Sequence, residues 1–153
     1  MNALTNLFTP DCIALDNPAK NRADAFAAAG ELFAKHVGID ASSVIEFLNA
    51  REALGSTALG AGVAIPHGRV KGLKQPAAAL IRLKDPIEFA APDGEPVKTL
   101  IFLLVPEKAT QQHLEILSSI AQLLSDADVR ETLSTSTDSS KVCELLQHWG
   151  NTK

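Results

Sequence analysis

Two histidines and one arginine of this sequence stand where a side chain could do chemistry. His67 lies between Pro66 and Gly68, directly after the apolar run 63–65. The proline fixes one backbone dihedral and removes a hydrogen-bond donor, and the glycine permits a sharp turn that leaves the imidazole uncrowded. Sites of α/β folds collect at strand ends. His67 is therefore a candidate reactive group, and the alternative is an ordinary turn histidine on the surface.

His113 and Arg51 could complete a site around that ring. His113 falls in the first turn of a predicted helix, where partial positive charge and unpaired N–H groups attract anions. Arg51 falls in the last turn of another predicted helix, where an arginine can also be a plain partner of the helix dipole. One imidazole that attacks, a guanidinium that offers paired donors and a second imidazole are the parts needed to hold a phosphoryl group. A group that arrives already activated as a phosphohistidine needs neither a metal nor a cofactor.

Other chemical sites are disfavoured by spacing. The Gly-Ala-Gly at 60–62 lacks the third glycine of the dinucleotide fingerprint, and no Walker pattern or Cys-x-x-Cys is present. A metal or hydrolytic site made of His67 and His113 lacks a carboxylate or cysteine at ligand spacing. His36 and His148 lie near predicted helix C-termini, where a basic residue is favoured without any function.

Composition favours one cytoplasmic domain over residues 1–153. With 46% hydrophobic and 21% charged residues the chain has a globular balance. Its net charge of -4 does not fit a nucleic-acid partner. No run approaches the ~18 apolar residues of a membrane span, and the N-terminus does not resemble a signal peptide. Cys12 and Cys143 are therefore expected to be reduced thiols.

Helical spacing and capping residues predict five helices. Asn17-Pro18 is expected to start the first, Asp40 to cap the second and Thr110 to cap the third. The third helix is expected to bury Leu114, Leu117, Ala121 and Leu124. The predicted helices are 18–36, 41–53, 111–124, a short one from Asp126 to Leu133, and a last one that begins at Asp138.

Between the helices the sequence predicts strands. The run 99–105 is the most hydrophobic of the chain and is expected to be a fully buried strand. Turns are predicted at Asp85-Pro86 and at 92–94. Further extended pieces are predicted at 12–15, 57–65, 77–83 and 87–89. This order predicts an α/β fold, a mixed β-sheet flanked by α-helices on both sides.

The stretch REALGSTALGAGVAIPHG, residues 51–68, resembles the signature of the type-2 enzyme IIA domains of the sugar phosphotransferase system. These are the fructose–mannitol and nitrogen-regulatory IIA domains. A second block, FLLVP at 102–106 followed by His113-Leu114-x-x-Leu117, resembles their second signature. The resemblance covers about residues 5–148 and implies the same mixed sheet with flanking helices.

The resemblance also implies roles for individual residues. His67 would carry the phosphoryl group on Nε2, with Arg51 and His113 beside it as catalytic partners. Ser56, Thr57 and Gly68 would bind phosphate through hydroxyl or backbone groups. The donor would be a phosphohistidine on a small HPr-type carrier protein, charged from phosphoenolpyruvate by an enzyme I.

Residues 64–69, AIPHGR, look closest to the free-standing nitrogen-regulatory kind, which regulates partner proteins through the phosphorylation state of the histidine. The sequence ends at Lys153, and we expect it to contain neither a IIB nor a membrane part. The alternative is a sugar-transport IIA component that passes its phosphoryl group to a separate IIB.

Overall fold

The computed structural model describes residues 7–108 and 111–149, and within them the chain forms six strands and five helices. A short 3-10 turn at Pro10–Cys12 leads into the first strand. The elements are β1 (Ile13–Asn17), α1 (Arg22–His36), α2 (Ala41–Glu52), β2 (Ala58–Gly60), β3 (Val63–Ala64), β4 (His67–Val70), β5 (Ala77–Ile87), β6 (Val97–Pro106), α3 (Gln111–Leu124), α4 (Ala127–Thr135) and α5 (Ser139–His148).

The strands form one mixed sheet in the order β1-β5-β6-β3-β2, with β4 pairing with β6 farther along the same edge as β3. The pairs β1–β5, β3–β6 and β4–β6 are parallel, whereas β5–β6 and β2–β3 are antiparallel. The predicted mixed sheet is confirmed, and the predicted strand at 12–15 is the edge strand β1. None of the helices in the described part of the chain is long and apolar enough to cross a membrane.

Helices cover both faces of the sheet, as predicted. Side chains of α1 and α2 pack on one face against Leu100, Phe102 and Leu104 of β6. Side chains of α3, α4 and α5 pack on the other face, which presents the intervening residues of the same strand. Since β6 is covered on both sides, its sequence is a continuous apolar run instead of an alternating one.

Two helix predictions need correction. The first helix begins at Arg22 instead of residue 18, because Asn21 accepts a hydrogen bond from the Asp24 N–H at 2.8 Å. Asn17 accepts from the Ala19 N–H at 2.9 Å and so makes a local turn before the helix. The stripe predicted for α3 is wrong at Leu114, which is 59% exposed; the buried residues of this helix are Ile116, Ile120, Leu123 and Leu124. Thr110, the predicted cap, lies outside the described residues.

The predicted turn at Asp85-Pro86 is also wrong. Strand β5 continues to Ile87, and its register against β6 shifts between Arg82 and Ile87. Residues 84–86 are exposed there. A proline is tolerated in a sheet at such an irregularity because it has no N–H to contribute to the ladder.

The extended piece predicted at 57–65 is a hairpin. Gly60, Ala61 and Gly62 all have positive φ, at 93°, 56° and 80°, and reverse the chain between β2 and β3. The chain then runs along β6 twice, as β3 and as β4, with the break at residues 65–66. His67 therefore begins β4, whereas the sequence predicted only that it follows the strand at 63–65.

Candidate active site

The imidazole of His67 is held by a hydrogen bond on each ring nitrogen. Its Nδ1–H donates to the Ile65 carbonyl at 2.8 Å, and Arg51 Nε–H donates to Nε2 at 3.2 Å. A carbonyl can only accept and a guanidinium can only donate. Both contacts therefore select the tautomer with the proton on Nδ1 and the lone pair on Nε2. That lone pair makes Nε2 the nucleophilic atom of the ring.

The surroundings of the ring favour its neutral form. Burial lowers the pKa of His67 below its ordinary value, and the positive charge of Arg51 lowers this pKa further. The hydrogen bond to the Ile65 carbonyl and the negative charge of Glu52 act in the opposite direction. Arg69 and His113 line the same pocket as the ring. The net direction keeps Nε2 unprotonated at neutral pH.

Arg51 reaches the ring from the last turn of α2. Its Nη1–H donates to the Gly55 carbonyl at 2.9 Å while Nε–H faces His67. Gly55 has a φ of +148°, which a residue with a side chain rarely adopts, so the turn after α2 depends on a glycine. The turn thus fixes the guanidinium with one edge toward the imidazole.

Gly68 allows α2 to approach the start of β4 closely. A Cβ at this position would lie 3.1 Å from the Phe47 carbonyl oxygen and 3.2 Å from its carbonyl carbon. Because both atoms belong to the backbone, no side-chain rotation relieves the contact. Gly68 therefore sets the separation between the helix that carries Arg51 and the strand that carries His67.

The three residues predicted to be catalytic line one pocket of about 470 Å³. His67 contributes from β4, Arg51 from the end of α2 and His113 from the first turn of α3. The rest of its wall is largely apolar. Apolar surroundings lower the local dielectric constant, which strengthens electrostatic interactions inside the site. The fold thus brings together in one pocket residues that span 62 positions of the sequence, from Arg51 to His113.

Ser56 and Thr57 line a second, adjoining pocket of about 380 Å³ that also contains His67. The Ser56 hydroxyl donates to the Phe89 carbonyl at 2.8 Å. The Thr57 hydroxyl donates to Glu52 Oε1 at 2.7 Å, and the Thr57 N–H donates to Oε2 at 2.9 Å. Both hydroxyl hydrogens are therefore used within the protein.

Sequence reasoning missed the leucines around the site. Leu54, Leu59 and Leu114, here called the leucine rim, are 84%, 46% and 59% exposed. All three line the pockets that contain His67. In the described part of the chain, Val37 is the other large apolar side chain that is exposed. Leu54 and Leu59 flank the Gly-Ser-Thr loop at 55–57. An apolar residue beside such a loop was the signal in the sequence that could have indicated an exposed apolar surface.

Glu52 was also missed, although it belongs to the motif at 51–68. Its side chain is buried and its residue is 7% exposed. An acidic residue in the last turn of a helix opposes the helix dipole. This unfavourable placement, next to Arg51, was a signal that the carboxylate has another role.

Comparison with known proteins gives the same family as the motifs. The family model described as "Phosphoenolpyruvate-dependent sugar phosphotransferase system, EIIA 2" matches residues 6–149. A nitrogen regulatory protein of Pseudomonas aeruginosa is 38% identical over 147 residues, covering 95% of this chain and 96% of that protein. The crystal structure of nitrogen regulatory protein IIA-Ntr from Neisseria meningitidis has a TM-score of 0.86 at 44% identity, covering 90% of this chain and 94% of that chain.

A sugar-specific protein is similar as well. The 2-O-alpha-mannosyl-D-glycerate-specific EIIABC component of Escherichia coli is 30% identical over 156 residues, covering 100% of this chain but only 24% of that protein. The chain belongs to the EIIA 2 family of the phosphoenolpyruvate-dependent sugar phosphotransferase system.

Proposed function

We propose that this protein is a cytoplasmic phosphocarrier that accepts a phosphoryl group on His67 from an HPr-type carrier protein and regulates partner proteins. One observation carries the proposal: the two hydrogen bonds of the His67 ring leave the lone pair on Nε2, beside an arginine. Family membership supports the same chemistry.

In the transfer step, Nε2 of His67 attacks phosphorus in line with the bond to the donor. The new Nε2–P bond forms as the donor's P–N bond breaks, and the donor imidazole leaves with the bonding electron pair. Arg51 gives up its contact with the lone pair and donates to the phosphoryl oxygens, where charge is greatest in the transition state. The Nδ1–H of His67 keeps its bond to the Ile65 carbonyl and so fixes the ring during attack.

The remaining site residues have secondary roles in this proposal. His113, which lines the same pocket, donates a hydrogen bond to the phosphoryl group. Direct phosphate contacts by Ser56, Thr57 and Gly68 stay a prediction. The hydroxyl hydrogens of Ser56 and Thr57 and the Thr57 N–H already have acceptors, so in this proposal any contact with phosphate comes from the backbone N–H of Ser56 or of Gly68.

The leucine rim supports a donor of protein size. Exposed apolar side chains grouped around a reactive atom are typical of a surface that another protein covers. A docked carrier would bury Leu54, Leu59 and Leu114 and exclude water from the phosphoryl group. The rim thus serves recognition, and the imidazole and guanidinium groups inside it serve chemistry.

Regulation follows from the charge that phosphorylation adds. A phosphoryl group on Nε2 brings about two negative charges into a surface whose rim is apolar. Such a change alters which proteins can dock on the same surface. The relatives named nitrogen regulatory proteins support this regulatory role over transport.

The sugar-specific relative supports a second function with the same chemistry, in which a separate IIB takes the phosphoryl group from His67 onto a cysteine. Mixing phosphorylated protein with candidate IIB domains decides between the two. Transfer to a IIB cysteine would favour transport, and retention on His67 would favour regulation.

Intact-protein mass spectrometry tests the proposal. The protein is incubated with phosphoenolpyruvate, enzyme I and an HPr-type carrier, as wild type, His67→Ala and the matched control His36→Ala. We expect one acid-labile, base-stable phosphoryl group on the wild type and the control, and none on His67→Ala. An unmodified wild type with active carriers would refute the proposal.

A further inference from the structure

We propose that Glu52 is a positioning residue that orients His67 through Thr57 and Ile65. The inference rests on the proposed function of His67 and adds a residue to it. It comes from a continuous path of hydrogen bonds between the buried carboxylate and the ring.

Glu52 is well satisfied for a buried carboxylate. Its two oxygens accept from the N–H and the hydroxyl of Thr57 at 2.9 and 2.7 Å, and Arg22 Nη1 lies 4.0 Å from Oε2. Burying a carboxylate is costly unless hydrogen bonds and an opposite charge compensate for lost water. The carboxylate therefore holds Thr57 in a fixed place, because movement of Thr57 away from Glu52 would leave a buried charge without its hydrogen bonds.

The path continues from Thr57 to the reactive ring. The Thr57 carbonyl accepts from the Ile65 N–H at 3.1 Å, and the Ile65 carbonyl accepts from His67 Nδ1–H at 2.8 Å. In each linking residue the N–H and the carbonyl belong to different peptide groups. The path thus transmits position and not a proton. The path fixes the position and orientation of the imidazole and, through the Ile65 carbonyl, keeps the proton on Nδ1.

Glu52 also contacts the turn that holds the second partner of the site. By holding Thr57, Glu52 closes the turn after α2, in which the Gly55 N–H donates to the Glu52 carbonyl at 3.1 Å. The Gly55 carbonyl in turn accepts from Arg51 Nη1 at 2.9 Å. Glu52 is therefore linked to the ring through its carboxylate and to the guanidinium through its backbone carbonyl.

Glu52 also acts on the ring through its charge, which opposes that of Arg51. Its negative charge raises the pKa of His67, whereas Arg51 lowers it. The other charged or titratable groups that face this region are Arg22 of α1, Arg69 of β4 and His113 of α3. Replacing the carboxylate by an amide of the same shape therefore has a signature that lost stability alone would not give.

Three variants of the full chain test the proposal. Glu52→Gln keeps the volume but loses the charge and one of the two acceptors for Thr57. Thr57→Val removes the hydroxyl bond, and Thr57→Ser is the matched control that keeps it. The pKa and tautomer of His67 are read by 15N NMR on unphosphorylated protein. The rates of phosphoryl transfer from the HPr-type carrier to each variant are then measured in single-turnover and steady-state assays.

We expect Glu52→Gln to lower the pKa of His67 and the fraction of the Nδ1–H tautomer. Transfer should lose about tenfold to a hundredfold in kcat at unchanged KM, because misplacement of the ring acts on the chemical step. Thr57→Val should lower the Nδ1–H fraction without the loss of charge, and Thr57→Ser, which keeps the hydroxyl, should lower this fraction less.

A folded Glu52→Gln protein with wild-type pKa, tautomer and kcat would overturn the proposal. If Glu52→Gln does not fold, Thr57→Val and Thr57→Ser decide it, and equal tautomer fractions in these two would overturn it. If the wild type itself accepts no phosphoryl group, the proposed function fails, while the NMR measurements still decide whether Glu52 orients the ring.

Discussion

Leu54 is the most exposed large apolar side chain in the described part of the chain, and Leu54→Ala should weaken docking of the phosphoryl donor. Burying a leucine fully is worth about 1.5–3 kcal/mol. Leu54 is 84% exposed, so a donor that covers it gains most of this amount. Alanine keeps only part of the apolar area, which leaves a loss of about 1–2 kcal/mol. That loss corresponds to roughly a 5- to 30-fold rise in KM for the donor protein.

Steady-state transfer with varied HPr-type carrier measures this effect. We expect kcat to stay unchanged, because Leu54 binds the donor equally in the ground state and the transition state. Val37→Ala is the matched control, since Val37 is 38% exposed and lines neither pocket that contains His67. Both variants should keep their melting temperatures, because the side chains are exposed. An unchanged KM for Leu54→Ala, or an equal rise for Val37→Ala, would refute the rim as the docking surface.

Three further predictions follow from the site. Arg51→Ala should reduce the rate of single-turnover transfer by about 10²–10³-fold, as expected for loss of a preorganised hydrogen-bond donor. It should also raise the pKa of His67, because a positive charge is removed. A near-normal transfer rate would contradict the role of Arg51 in stabilising the phosphoryl group. Burial lowers the pKa of His67 below the ordinary imidazole value of about 6.5. In a pH–rate profile, acceptance of the phosphoryl group should therefore decline only below that pH, and Arg51→Ala should move the decline to higher pH. A wild-type decline centred above about 6.5 would contradict the assigned environment of the ring. Gly68→Ala should lower the melting temperature, because the new Cβ would lie 3.1 Å from the Phe47 carbonyl oxygen and such overpacking costs about 1–3 kcal/mol; calorimetry showing no change would mean that α2 can move away freely.

Local features of this fold were predictable from the sequence. Asp40, Asp126 and Asp138 each accept hydrogen bonds from the first turn of the helix they precede, as their residue type predicts. The buried strand β6 was predicted because the run 99–105, with six consecutive apolar residues after Thr99, is too short for a buried helix and suits a strand covered on both faces.

Features that depend on distant contacts were not predictable. Helix α3 has leucines and isoleucines on more than one side, and only packing against the sheet decides that Ile116 is buried while Leu114 is exposed. The continuation of β5 past Pro86 depends on its register with β6. The motif predicted roles for His67 and Arg51, but the path from Glu52 through Thr57 is visible only once the β2–β3 hairpin is folded.

The position of the phosphoryl group on the His67 ring tests the central claim most directly. The protein is labelled with 15N on histidine, phosphorylated by the carrier chain and observed by 15N and 31P NMR. The account predicts a phosphoryl group on Nε2, with Nδ1 still protonated and donating to the Ile65 carbonyl. A phosphoryl group on Nδ1, or on a residue other than His67, would contradict it.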